Sequence, residues 1–247
     1  MSHPVRFLVV GGLLAVLGGC SDAAPTGPEL ALESSSAGSA HGIAPPQSHP
    51  RGKSYSEWAA AFWQWLLAIP PSTNPLLDPT SDCDVAQSGH VWFLVGTFGP
   101  QTVDRTCTVP TGTAFLLPLI NNAWFAFLSD PPEQRTEEFI RSQITCVEGT
   151  EFPVVEIDGK PVANPTDYLE QSVIFKVVLP EDNLFGVTEE QVPELTLFPS
   201  VDEGFYLFLN PLPPGSHTIH FQVKAAGCGS EDVSDITYHL NVEPGPH

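Results

Sequence analysis

Between Lys53 and Ile69 the large apolar residues recur at the spacing of a helix. Trp58, Phe62, Trp65 and Ile69 fall on one face, Tyr55 and Leu66 flank it, and Glu57 and Gln64 mark a narrow polar stripe. Ser54 and Glu57 stand at capping-box distance, and Pro70-Pro71 cannot continue the segment. The pattern predicts an aromatic helix over 54–69. Burying each large side chain stabilises by about 1.5–3 kcal/mol, so packing across a β-sheet core is the natural use of this helix. The alternative leaves Trp63 or Trp65 free as a stacking platform for a sugar ring.

From residue 90 onward the period shortens to two. Segments 90–98 and 101–109 flank Gly99-Pro100, which predicts a hairpin. Segment 113–121 is nearly all apolar, so it should be buried on both faces or lie under the first helix, and Pro118 implies an edge or a bulge. Residues 133–143 predict a short amphipathic helix. Asp158-Gly159 is a favoured two-residue hairpin turn. Further strands are expected at 172–179 and 205–209, with 181–203, acidic and proline-punctuated, as an exposed excursion.

In 217–223 and 236–242, alternation puts Ile219, Phe221 and Val223, and Ile236, Tyr238, Leu240 and Val242, on the core face. His220 and His239 then point outward. If the two strands pair as a hairpin with their cores in register, one permitted pairing sets His220 opposite His239 and Gln222 opposite Thr237, with Cβ atoms about 5 Å apart, near enough for two imidazoles to share a metal. Transition metals take three or four protein ligands, so His217, His90 or Asp235 would have to complete the set. A divalent metal is therefore the candidate cofactor, and plain surface histidines are the alternative. Asp78, Asp82 and Asp84 cluster in a proline-broken loop but lack the spacing of a calcium loop, and turn residues account for them.

Of 247 residues, 26 are proline and 15% are charged, and the formal net charge is −20. Such acidity repels phosphate backbones, so nucleic acid is excluded as a partner. The order of elements predicts a mainly β fold, a β-sandwich or jelly-roll-like domain with one N-terminal aromatic-rich helix and two disulfides. Sequences for a Gly-x-Ser-x-Gly elbow, a His-Glu-x-x-His helix and a phosphate-cradling glycine loop are missing. The first functional expectation is thus a binding module for a glycan, a peptide or a partner protein, with Trp63, Trp65 and Trp92 as candidate ligand-binding residues. The second is a metal-dependent enzyme or metal-binding protein, and the third a structural envelope protein.

Arg6 precedes an apolar run, 7–17, that is too short to span a bilayer and ends at Leu17-Gly18-Gly19-Cys20. A cysteine after Leu-Gly-Gly matches the bacterial lipobox, so the chain resembles a lipoprotein precursor. That resemblance implies removal of residues 1–19, lipidation of Cys20, attachment to a membrane through lipid and a place in the bacterial cell envelope. Ser21 directs the expectation to the outer membrane, where an Asp would signal retention at the inner one. Residues 20–52 then form the lipidated cysteine and a flexible tether, and 53–247 a single β-rich domain. Cys83, Cys107, Cys146 and Cys228 remain, an even number in an exported chain. Of the three connectivities, Cys83–Cys107 with Cys146–Cys228 is favoured, because the first pair brackets an expected β-hairpin. Three stretches, Tyr55-Ser56-Glu57-Trp58 with Trp63-Gln64-Trp65, Val109-Pro110-Thr111-Gly112-Thr113 with Pro118-Leu119-Ile120-Asn121, and 214–221, resemble an uncharacterised family of bacterial exported proteins. The resemblance implies no catalytic residues. The middle stretch is also similar to the cupin jelly roll, without its histidine-rich metal motif.

Overall fold

The computed structural model describes residues 42–78, 80, 83–228 and 233–244, with the side chain of Cys228 outside the described set. Segment 1–19, Cys20, the tether up to residue 41 and Asp82 lie outside the described residues as well. The aromatic helix forms as expected. Helix α1 (Tyr55–Leu67) opens with a complete capping box, in which the Ser54 hydroxyl accepts from the Glu57 amide and Glu57 accepts from the Ser54 amide. It buries Tyr55, Trp58, Phe62 and Leu66.

Two mixed sheets lie beneath it. The first contains β1 (Val91–Phe93), β3 (Ala114–Phe127), β8 (Thr196–Leu209) and β6 (Leu169–Gln171) in that order, with β7 (Phe175–Val178) also on β8. The second runs β2 (Thr102–Pro110), β10 (Val233–Glu243), β9 (Gly215–Lys224), β4 (Glu151–Ile157), β5 (Lys160–Pro161). A short helix, α2 (Glu137–Ser142), closes over Ala126 and Val201.

The double-sided apolarity of β3 explains the layering. Phe115, Leu117 and Leu119 join Leu207, Phe221 and Leu240 in the core between the sheets. Ala114 and Leu116 instead meet Trp58, Phe62 and Phe208 under α1. The molecule is thus a β-sandwich with a helix laid on the outer face of one sheet. Tyr55 pins the layers: its hydroxyl donates to the Ala44 carbonyl at 2.6 Å and accepts the Phe208 amide at 3.2 Å, and burial drives its pKa upward.

The core sets expected on β9 and β10 are all buried. Asp158 and Gly159 both take positive φ (52° and 68°), the conformation of the favoured hairpin turn. Pro118 sits at a bulge, where the β3–β8 register shifts between Pro118 and Ile120.

Four expectations need correction. The hairpin across Gly99-Pro100 does not form. β1 pairs parallel with β3, whereas β2 pairs parallel with β10 in the other sheet. The burial patterns give the reason: β2 alternates strictly and faces water on one side, whereas β1 is covered on both, so the two suit different sheets. Segment 181–203 is only partly an excursion, because 196–203 forms the first half of β8, with Leu197, Val201 and Asp202 fully buried. The globular part also starts before Lys53. The Asn210 amide donates to the Gly42 carbonyl, the Ala44 amide donates to the Phe208 carbonyl, and Ile43 and Ala44 are buried. Lastly, His220 and His239 are not opposite one another: His220 faces Thr237 and His239 faces Thr218.

Cys83 and Cys107 form a disulfide, the expected pair, although the hairpin invoked for it is absent. Cys146 is disulfide-bonded too, and its expected partner Cys228 is the residue whose side chain is outside the described set.

Candidate functional site

A groove of about 780 Å³ opens where β3 outruns β1. One wall is α1, through Phe62, Trp63, Leu66 and Leu67. The other is the second sheet, through Val223 and Ile236. Residues 118–123 of β3 run along its floor, and segments 95–100 and 184–185 form the rim. None of the described residues lining it is Asp, Glu, Lys or Arg, in a chain of net charge −20. Phe98 and Phe185 stand on that rim 76% and 41% exposed. Apolar surface left in water at the mouth of a large concavity is the ordinary signature of a binding site.

At the end of the groove beside α1 lies a buried polar chain. Trp63 donates its indole N–H to Asp202 Oδ1 at 2.6 Å, and Tyr206 donates its hydroxyl to Asp202 Oδ2 at 2.5 Å. Asn121 donates Nδ2–H to the Tyr206 oxygen at 3.0 Å, and the Ser172 hydroxyl accepts the Asp202 amide at 2.8 Å. Asp202 is fully buried, and that burial pushes its pKa up to about 8 against the two hydrogen bonds that favour the carboxylate. Burial, with Asp202 alongside, likewise drives the Tyr206 pKa upward. Gly204 makes room for this arrangement: a Cβ there would stand 2.5 Å from Asn121 Cβ and 2.6 Å from the Ile120 carbonyl oxygen. Trp63 and Asn121 both reach the groove, so this polar chain meets it at one end, with Thr97, Asn122 and Ser234 the other polar side chains on a mostly apolar lining.

The histidines expected to share a metal are dispersed, and His217, His220 and His239 are each held by a different carboxylate. His220 Nε2 lies 2.9 Å from Asp235 Oδ1, and His239 Nε2 lies 3.2 Å from Asp104. His217 bridges Asp158 Oδ2 at 2.8 Å and the Pro213 carbonyl at 2.9 Å. Both of its partners accept hydrogen bonds, so the doubly protonated ring satisfies them best. Burial lowers its pKa, but Asp158 and Pro213 outweigh burial and raise it. His90 is exposed at the start of β1. Among the described residues no group of three or more His, Cys, Asp or Glu is placed to hold a metal. In the aspartate loop, Asp78 accepts from the amide and hydroxyl of Thr80, which lower its pKa and mark a turn.

Nor are the tryptophans free platforms. Trp92 is buried in the core between the sheets. Trp65 packs on Phe93 at 5.1 Å and donates to the Ala86 carbonyl. Trp63 alone of the three reaches the groove, edge-on to Phe125 at 5.4 Å.

A second buried polar knot has a different task. Arg105, 4% exposed, donates to the carbonyls of Val95 and Pro75 and to the Tyr238 hydroxyl. Tyr238 in turn donates to the Val95 carbonyl at 2.6 Å. The space there is about 10 Å³, which fits one water at most. Its donors fix the loops that lead into the groove's rim. The residues that sequence reasoning missed are Asp202, Tyr206 and Asn121. The available signal was parity: counted back from Tyr206 and Phe208 along one strand, Asp202 falls on the same buried face. The chain matches no family model and no curated protein sequence.

Proposed function

We propose that the protein is a lipid-anchored, extracytoplasmic binding module whose groove between α1 and the second sheet receives an apolar ligand. The observation that carries this reading is a groove of about 780 Å³ whose wall, among the described residues, holds no Asp, Glu, Lys or Arg, in a protein of net charge −20. A concavity whose described lining carries no charge, in an acidic chain, suits an occupant that is apolar where it lies against that lining. The anchor and the envelope location rest on the Leu17-Gly18-Gly19-Cys20 sequence, and the disulfide-bonded cysteines accord with an oxidising compartment.

The test is a titration of the purified full chain with N-phenyl-1-naphthylamine, a neutral dye that brightens in apolar sites. Saturable binding is expected, weakened about tenfold or more by Phe98→Asp or Phe185→Asp, which place a charge at the rim. Phe98 is 76% exposed, whereas Phe185 packs edge-on to Phe125 at 5.8 Å, so melting temperatures of both variants are measured alongside and a variant that still melts cooperatively is the one scored. Absence of saturable binding, or binding indifferent to both substitutions, would overturn the reading.

A further inference from the structure

We propose that the ligand is an extended peptide segment, apolar along its middle and basic at its flanks, that adds as a strand to the open edge of β3. This rests on the groove being a binding site and specifies what enters it.

The edge can be read from the pairing. β1 covers β3 only at Ala114–Leu116, where the Ala114 amide donates to the His90 carbonyl and the Leu94 amide donates to the Leu116 carbonyl. On the far side of β8, the Ser172 amide donates to the Asp202 carbonyl and the Asp202 amide to the Ser172 hydroxyl, so Asp202 turns its backbone away from β3. Its partner Ala123, and by the same alternation Asn121 opposite Gly204, must turn theirs away from β8. These groups therefore face the groove. Pro118 contributes a carbonyl but no N–H. Among the described residues no strand pairs with this edge beyond Leu116.

Such an edge is a template for another strand, and proteins that avoid one usually guard it with charges. Among the described residues none lines the groove. An added strand would send alternate side chains to opposite sides. One set would meet Phe62, Trp63 and Leu66, and the other would meet Val223 and Ile236, so both sets must be apolar. At roughly 3.3 Å per residue, the floor 118–123 accommodates a segment of similar length. A chain of charge −20 draws basic flanks in and repels acidic ones.

The experiment is displacement of N-phenyl-1-naphthylamine from the full chain by the blocked peptide KKVAVAVKK. Two versions N-methylated at alternate central residues, one for each register, and EEVAVAVEE run beside it. One methylated peptide is expected to be weaker by about tenfold and the other nearly unchanged, because only one set of amides meets β3. The Glu-flanked peptide should be weaker too, with the gap closing in salt. Equal displacement by all three Lys-flanked peptides would overturn the strand mode while leaving the binding module intact, as would dye binding that no peptide displaces. Self-association of the protein that the dye abolishes would assign the edge to a second copy and equally overturn the proposal. A dye that does not bind removes the parent reading and this inference together.

Discussion

Replacing Asp202 by Asn isolates the free energy held in the buried polar chain. Asp202 is fully buried and its pKa is raised to about 8, from 3.8. Between those values the unfolded chain has released a proton that the folded chain keeps. The unfolded state binds fewer protons, so stability falls as pH rises through this window and levels off above about 8. A single group contributes a slope of at most about 1.4 kcal/mol per pH unit. Asn cannot ionise: its carbonyl can still accept from Trp63, while its amide replaces the oxygen that accepts from the Tyr206 hydroxyl, a cost that does not vary with pH. The variant should therefore lose the slope and keep the fold. Urea unfolding of both proteins at pH 5, 6 and 7, without reductant, gives the comparison. The stability of Asp202→Asn relative to wild type should climb by about 1 kcal/mol or more per pH unit. A difference that stays constant with pH would refute the claim that burial keeps this carboxyl protonated.

Gly204→Ala should destabilise by about 1–3 kcal/mol, seen as a lower melting temperature, because its Cβ would strike two fixed strand atoms. Reducing Cys83–Cys107, which closes a separation of 24 residues, should cost about 3.5 kcal/mol by the chain-entropy account. Denaturant unfolding of Cys83→Ser/Cys107→Ser measures this without disturbing Cys146. His217 should titrate by NMR above the ordinary histidine range, and Asp158→Asn should bring it back down. Its contribution to stability is full below the unfolded histidine value of about 6.5 and fades as pH rises through the folded value.

Local chemistry was legible in the sequence, and long-range pairing was not. The Ser54–Glu57 box, the Asp158-Gly159 turn and the alternation of β9 and β10 depend on residues a few positions apart, and all three are present. The two-sided apolarity of 113–121 also foretold a strand with one face under α1. The false hairpin at Gly99-Pro100 arose because a turn signal says where a chain can bend, not whether its flanks pair. The false register of His220 and His239 has a related cause: core parity fixes which face a side chain takes, and a slip of two residues preserves parity. The groove was invisible for the same reason, since it forms where β1 stops short of β3. Asp202 was hidden by its acidic neighbours, which made a buried strand look like a surface loop.

The central claim is that β3 carries an unpaired edge facing an apolar groove. Amide hydrogen exchange of the free protein tests it most directly. The amides of Asn121 and Ala123 should exchange much faster than those of Ala114 and Leu116, on the same strand but bonded to β1, and should slow when the Lys-flanked peptide is added. Equal, strong protection at all four positions in the free protein would contradict it.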